Sequence, residues 1–221
     1  MILYDYWRSS SGWRVRIALH IKGVPFERRV VNLSPDVGAQ HVDAFGALNP
    51  LRQVPVCIPD LPDLPAGAGA RPLTQSMAII ELLEEQFPEP PLLPADPWRR
   101  ARARQLAEMV NAGTQPLQNL SVLQRVTAMG GDASAWARHF IARGLAALEA
   151  AASQETEGTF LVGDTPTLAD LYLVPQMYNA RRWAVDLAPF PRLVRVDAAC
   201  AALPAFAAAH PDVQSDAQGP V

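Results

Sequence analysis

Three consecutive hydroxyl side chains near the start of the chain form the first pattern suited to chemistry. Ser9, Ser10 and Ser11 lie between an apolar strand pattern and a helical pattern. The N-terminus of a helix carries amide N–H groups and a partial positive charge, and an anion is therefore stabilised there. One serine is enough to cap a helix. The run of three thus indicates either a cap alone or a pocket for a thiolate or oxyanion.

Two other segments carry groups that could complete such a site. If the bond between Val54 and Pro55 is cis, the main-chain groups of Val54 face outward and can pair with an extended peptide. The alternative is an ordinary proline of an edge strand. Gln75 and Ser76 open a helical pattern, whose N-terminus is either a carboxylate pocket or a plain cap. Together with the serines, these segments predict a site for a short anionic peptide that carries a thiol.

The elements that must position these residues alternate between strand and helix over residues 1–87. The resulting order is βαβαββα, in which each strand–helix–strand unit implies a right-handed parallel crossover. The turn-rich segment 60–70 predicts an exposed loop. Apolar periodicity predicts strands at 2–4, 27–33, 54–58 and 71–73, and helices at 13–22, 36–48 and 75–87, the first of them ending at Gly23.

The remainder of the chain has helical patterns only. Residues 88–97 contain five prolines and predict a stiff linker. We therefore expect an α/β domain at 1–87, a linker at 88–97 and an all-α domain at 98–221. Thr167 and Asp170 have the spacing of a capping box. The predicted helical stretches are 99–127, 133–153, 167–180 and 192–202.

Composition argues against several classes of protein. The net charge is −3 with no basic run, which argues against a nucleic-acid partner. Cys57 and Cys200 are far apart in unrelated settings, which excludes a disulfide framework and predicts no metal cluster. No apolar stretch is long enough to span a bilayer, and no export leader is present. The sequence predicts a cytoplasmic protein with no membrane contact.

Several motifs together resemble those of the zeta-class glutathione transferases, a family that includes maleylacetoacetate and maleylpyruvate isomerases. The resemblance spans nearly the whole chain. It departs from the family at Ser11, where the motif has cysteine, at Gly12, and at the longer loop 60–70. The motifs that carry it are SSSGWRVRIAL (9–19), NPLRQVP (49–55), QSMAIIE (75–81), QPLQNLSVL (115–123), GDTPTLAD (163–170) and LVPQ (173–176).

The resemblance implies a fold and a set of ligand contacts. It implies a thioredoxin-like α/β domain followed by an all-α domain, a homodimer, and glutathione as cofactor. Ser9, with Ser10 and Ser11 beside it, would form the catalytic group that stabilises the glutathione thiolate, and any of the three hydroxyls could dominate. Arg8 and Arg182 would face the carboxylates of the second substrate. Arg181 is interpreted as a solvated neighbour. The implied glutathione contacts are Ser9, Ser10, Ser11, Gly12, Trp13, Arg14, Gln40, Val54, Gln75, Ser76, Gln115, Asn119, Leu120 and Ser121.

The implied reaction is the cis–trans isomerisation of a maleyl keto acid, maleylacetoacetate to fumarylacetoacetate, in the catabolism of aromatic compounds. Two alternatives share the thiolate site: isomerisation of maleylpyruvate, and transfer of glutathione to a small electrophile. A third is a non-catalytic binding module. The intact serine motif disfavours the third, and Arg8 with Arg182 favours a dicarboxylic substrate over a general electrophile.

Overall fold

The computed structural model describes residues 1–34, 36–60, 71–154 and 158–217. Of the predicted loop 60–70, only Asp60 is among them, and it is exposed. Contacts divide the chain into two units, one formed by 1–91 with 204–221 and the other by 92–203. The sequence prediction assigned 204–221 to the helical domain. The structure corrects it, because the last helix, α9 (Pro204–Ala209), packs against the first helix of the α/β unit.

The first unit is built on the strands β1 (Ile2–Asp5), β2 (Glu27–Val30), β3 (Val56–Ile58) and β4 (Leu73–Thr74), which form one sheet in the order β2-β1-β3-β4. Strand β1 is parallel to β2 and antiparallel to β3, and β3 is antiparallel to β4. The predicted order βαβαββα is confirmed, and so is the parallel crossover of β1–α1–β2. The parallel crossover predicted for the second strand–helix–strand unit is wrong, because β3 is antiparallel to β1 and therefore to β2. Strand β1 is one residue longer than predicted, and the other three strands are shorter. The helices are α1 (Ser10–Lys22), α2 (Asp43–Leu48), which follows a 3₁₀ turn at Ala39–His41, and α3 (Ser76–Gln86).

The regular elements of the second unit are all helices among its described residues, as predicted. The single predicted stretch 99–127 is interrupted, however, by a 3₁₀ turn at Gln115–Gln118. Gly113 weakens the helix before this turn, and Pro116 has no N–H to donate. The helices are α4 (Pro97–Asn111), α5 (Leu120–Ala128), α6 (Ala133–Ala152), α7 (Leu168–Arg182) and α8 (Pro191–Ala201).

The start of α7 is fixed by the capping box that the sequence predicted. The Asp170 carboxylate accepts hydrogen bonds from the N–H of Thr167 at 2.7 Å and from the N–H of Leu161 at 2.9 Å. Burial raises the pKa of Asp170 to about 6, although these hydrogen bonds oppose the shift. The same carboxylate thus caps α7 and anchors the segment that precedes it.

Lys22, the only lysine of the chain, ends α1 inside the first unit. Its Nζ donates to Glu84 Oε2 at 2.5 Å, to the carbonyl of Phe87 at 2.6 Å and to the carbonyl of Pro90 at 2.8 Å. An ammonium has three hydrogens, and all three have acceptors here. Lys22 therefore joins the end of α1 to the end of α3 and to the residues that follow it.

We expect Lys22→Met to lower the free energy of unfolding by about 3 kcal/mol, because it leaves the buried Glu84 carboxylate and two carbonyls without their donor. Urea denaturation measures the change. Arg29→Met is the matched control, since Arg29 forms an exposed ion pair with Glu27, and its loss should leave stability unchanged within error. Adding Glu84→Leu to Lys22→Met should restore part of the loss. Equal effects of the Lys22 and Arg29 variants would contradict this assignment.

Candidate active site

The serine turn, residues 9–11, lies at the junction between the end of β1 and the start of α1. Ser9 is the N-cap of α1, and its Oγ accepts a hydrogen bond from the N–H of Gly12 at 3.2 Å. The N–H of Ser9 donates to the carbonyl of Tyr6 at 2.9 Å, which closes the turn. Because the hydrogen bond from Gly12 N–H uses a lone pair of the Ser9 oxygen, the hydroxyl hydrogen of Ser9 can be donated to an anion. Ser10 and Ser11 follow in the first helical turn, half-buried.

Arg14 connects the serine helix to the second predicted anion site. It is fully buried, and its Nη1 donates to Ser76 Oγ at 3.3 Å. Ser76 begins α3. Gln75, the residue before it, has a backbone φ of 72°, in the left-handed region that residues other than glycine rarely adopt. Gln75 is exposed. The sequence predicted Arg14 as part of the binding segment, and the structure shows it buried between the two helix starts.

Val54 lies beside the serine turn. It packs in one buried cluster with Tyr6 and Trp7, the residues that precede the turn. The bond between Val54 and Pro55 is cis. No hydrogen bond among the described parts of the chain uses the main-chain N–H or C=O of Val54. These groups are therefore available to an extended peptide.

The loop that carries Val54 is held by Asn49. Its Nδ2 donates to the carbonyl of Gln53 at 2.7 Å, and its Oδ1 accepts from the N–H of Leu51 at 3.0 Å. Gln40 is also buried, in the 3₁₀ turn before α2. Its Nε2 lies 3.1 Å from Nε2 of His41, whereas its Oε1 has no hydrogen-bond partner among the described residues. Gln40 thus retains an acceptor for a ligand.

The two predicted substrate arginines lie in different units. Arg8, in the first unit, places its guanidinium 5.2 Å from the ring centroid of Trp7. Arg182, in the second, is exposed at the end of α7, with its guanidinium 5.1 Å from the ring of Trp183. Arg181 is exposed, as the sequence suggested, and its guanidinium also pairs with Asp197 at 2.5 Å.

The remaining predicted contacts surround the 3₁₀ turn of the second unit. Gln115 begins this turn and is half-buried. Asn119 caps α5, with its Oδ1 accepting from the N–H of Leu120 at 2.8 Å. Leu120 and Ser121 are exposed in the first turn of α5. Sequence reasoning missed Gln118, whose buried Nε2 donates to Oε1 of Gln176 at 2.7 Å and joins this turn to α7.

Sequence reasoning also missed an ionic network behind the serine turn. It contains two carboxylates, Asp5 and Asp216, and two guanidiniums, Arg16 and Arg28. Burial lowers the pKa of Arg16, and Asp5 opposes that shift. Burial also acts to lower the pKa of Arg28, but its bonds to Asp216 and the charge of Asp5 outweigh it and raise the pKa. The only sequence signal was polar residues inside apolar element patterns.

Comparison with known proteins agrees with this geometry. The N-terminal domain model of the glutathione S-transferases matches residues 8–86, and the C-terminal domain model matches 137–204. The maleylacetoacetate isomerase of Mus musculus is 43% identical over 97% of this chain and 94% of its own length. The structure of a bacterial maleylpyruvate isomerase, described as a zeta-class glutathione S-transferase in holo form, is 44% identical with a TM-score of 0.90, covering 99% of this chain and 100% of that one. This chain is a zeta-class glutathione S-transferase.

A second solved zeta-class relative carries informative ligands. The maleylacetoacetate isomerase of Anaeromyxobacter dehalogenans 2CP-1 is 53% identical over 99% of this chain and 94% of its own, with a TM-score of 0.86. That structure has dicarboxyethyl glutathione and citrate in its active site. The thioredoxin-like and helical architecture expected of the class is the one described above for the two units.

The cysteines of this zeta-class chain are unsuited to chemistry. Cys57 in β3 and Cys200 in α8 are both fully buried. Burial raises the pKa of Cys57 to about 11. It also raises the pKa of Cys200, and the carboxylates of Asp170 and Asp197 add to that shift. Within the described residues, no cluster of metal-ligating side chains is found, and no helix is long and apolar enough to cross a bilayer.

We expect both cysteines to resist iodoacetamide at pH 7, because a thiol of pKa about 11 is ionised to only about one part in 10⁴. Mass spectrometry of the native protein should show no adduct, and glutathione-dependent activity should survive treatment and desalting. Ser11→Cys, which restores the family's usual residue, should gain one adduct while changing turnover little. Inactivation of the unmodified chain with an unchanged circular dichroism spectrum would mean that a protein thiol takes part in the reaction.

Proposed function

We propose that this zeta-class chain is a glutathione-dependent cis–trans isomerase that converts maleylacetoacetate to fumarylacetoacetate. The observation that carries the proposal is the Ser9 hydroxyl, held at the N-terminus of α1 by Gly12 N–H with its own hydrogen available to a thiolate. Relatives named for maleylacetoacetate and for maleylpyruvate are similarly close, at 43% and 45% identity. Maleylpyruvate is therefore the second candidate substrate.

The first unit has the groups that glutathione requires. Val54 offers an N–H and a C=O to the peptide backbone of the ligand. Gln75 and Ser76, at the start of α3, would hold the γ-glutamyl end, where the helix N-terminus favours a carboxylate. Gln40 contributes an unused buried acceptor. Gln115 and the segment 119–121 are proposed as further polar contacts of glutathione.

Ser9 and the N-terminus of α1 favour the ionised form of a bound thiol. A free thiol has a pKa of about 8.5, so little of it is ionised at neutral pH. A directed hydroxyl donor and the positive end of a helix both lower that value. When bound, glutathione supplies a thiolate that adds reversibly to the cis double bond, permits rotation and is released unchanged. No acidic residue belongs to the first turn of α1, and the Asp5 carboxylate that contacts this turn is paired with Arg16 and Arg28.

Arg8 and Arg182 are proposed to bind the carboxylates of the keto acid. A guanidinium can form two parallel hydrogen bonds to a carboxylate, which fixes the orientation of the ligand as well as its charge. Because each of these arginines lies against an aromatic ring, its side chain has fewer conformations to lose on binding. We further propose that the protein works as a cytoplasmic homodimer in the catabolism of aromatic compounds.

We expect glutathione to be required in catalytic amount and not consumed. Maleylacetoacetate and maleylpyruvate would each be followed spectrophotometrically, with and without glutathione, while free thiol is titrated in parallel. Complete isomerisation with constant free thiol supports the isomerase, and the faster substrate identifies the physiological class. Loss of one free thiol per substrate converted would contradict this proposal and show that the protein is a transferase that conjugates glutathione to its substrate.

We expect Arg182→Ala to raise KM for the dicarboxylic substrate about tenfold or more, the loss expected for a hydrogen bond between charged groups. KM for glutathione should change less than about twofold, because the substitution removes uniform binding of one substrate only. Arg181→Ala is the matched control, since it loses the pair with Asp197 and should alter stability without altering KM. An equal rise in both KM values for Arg182→Ala would contradict the assigned role.

A further inference from the structure

The main chain of Trp7, two residues before Ser9, is held on both sides. Its N–H donates to Oδ2 of Asp216 at 3.1 Å, and its carbonyl accepts from Nη2 of Arg16 at 2.8 Å. Asp216 lies in the C-terminal segment, more than 200 positions away, and belongs to the same unit. The position of Trp7 therefore depends on a residue from the far end of the chain.

These contacts close into a ring of five residues. Arg16 Nη1 donates to Asp5 Oδ2, which also accepts from Arg28 Nε at 3.2 Å. Arg28 Nη1 then donates to Asp216 Oδ1 at 2.6 Å, and Asp216 returns to Trp7. Asp5 and Arg16 are fully buried, whereas the side chains of Arg28 and Asp216 are only 12% and 15% exposed. Two positive and two negative charges balance within the ring.

The ring also constrains the backbone on the C-terminal side of Ser9, at Gly12. Oδ1 of Asp5 lies directly against Gly12, where a Cβ atom would come within 1.6 Å of it. Gly12 is the residue whose N–H donates to Ser9 Oγ. The glycine that departs from the family motif is thus required by this carboxylate. Trp7 before Ser9 and Gly12 after it are both located by members of one network.

We propose that Asp216 is a positioning residue for the Ser9 hydroxyl, acting through the ring that fixes Trp7 and Gly12. Asp216 is the only charged member of the ring that belongs to neither the sheet nor α1, and it bonds two of the other four members. Replacing its carboxylate by an amide leaves one acceptor oxygen where Trp7 N–H and Arg28 Nη1 use two, and it removes half of the charge compensation of Arg28. The turn from Tyr6 to Ser9 then loses a fixed point. This inference rests on the proposed role of Ser9 in stabilising a thiolate.

The direction in which the pKa of the bound glutathione thiol changes distinguishes a positioning role of Asp216 from a purely electrostatic one. Removing a negative charge near a thiolate would by itself lower the pKa of the thiol. Misaligning the Ser9 hydroxyl withdraws a hydrogen bond from the thiolate and raises that pKa. Asp216→Asn removes the charge, so a rise in the pKa of bound glutathione can come only from lost alignment. The pH profile of kcat/KM and the thiolate absorbance of the complex both report this value.

The experiment compares Asp216→Asn with a conservative and a matched variant. Asp216→Glu keeps the charge and a reachable acceptor. Asp212→Asn makes the same charge change in the same segment, at an exposed carboxylate outside the ring. Asp216→Asn is also combined with Ser9→Ala, because coupled residues give non-additive effects. Urea denaturation of every variant separates loss of fold from loss of function.

We expect Asp216→Asn to lower kcat/KM about tenfold and to raise the pKa of the bound thiol, since small displacements of a catalytic group are costly. Asp216→Glu should recover most of the loss, and Asp212→Asn should match the unmodified chain. In the Ser9→Ala background, Asp216→Asn should cost less than about twofold. An unchanged or lowered thiol pKa, or an undiminished loss in that background, would overturn the proposal.

A measurement without substrate keeps this test independent of the proposed function. Hydrogen exchange followed by mass spectrometry should show faster exchange of peptides covering residues 6–13 in Asp216→Asn and not in Asp212→Asn. Unchanged exchange there would overturn the positioning role. An unmodified chain that exchanges normally but shows no glutathione-dependent isomerisation would instead reject the proposed function and leave the structural role of the ring standing.

Discussion

The contact between the end of β1 and the first turn of α1 is the constraint on which the rest of the first unit depends. A buried carboxylate, Asp5, sits against the helix backbone, and only Gly12 leaves room for it. A buried charge is costly unless it is paired, and here two guanidiniums compensate it. The helix start, its cap and the hydroxyl proposed to meet the ligand are placed by this one contact. Strand β2 and the C-terminal segment are then required to complete the charge balance.

The same arrangement explains why the α/β unit is not continuous in sequence. Arg28 in β2 leaves the ring one carboxylate short, and Asp216 supplies it from beyond the helical unit. The C-terminal segment therefore folds back because of a polar requirement as well as apolar packing by α9. Arg16 takes part in both, since its Nε donates to the carbonyl of Ala209 at the end of α9. A chain truncated at residue 87, the predicted end of the α/β domain, would lack Asp216.

Local features of the fold could be predicted from sequence, and long-range polar ones could not. Apolar periodicity located every strand and the longer helices, and Gly23 and Thr167 marked helix ends through local backbone chemistry. Helix α9 was missed because a short alanine-rich run has little periodicity. The serine turn and Val54 were found as motifs, but the geometry of the Val54–Pro55 bond needed the structure. The ring escaped notice because residues bonded to each other in it are separated by up to 209 positions, and no local pattern pairs them.

The single lysine has a further consequence for experiments on this protein. Reagents that acylate side-chain amines have one target in the chain, and all three hydrogens of that amine are engaged by acceptors at the junction of α1, α3 and the following segment. Acylation must wait until that junction opens. The rate at which Lys22 is acylated therefore measures how often the thioredoxin-like unit opens locally at this position. The measurement uses the native protein and needs no introduced probe.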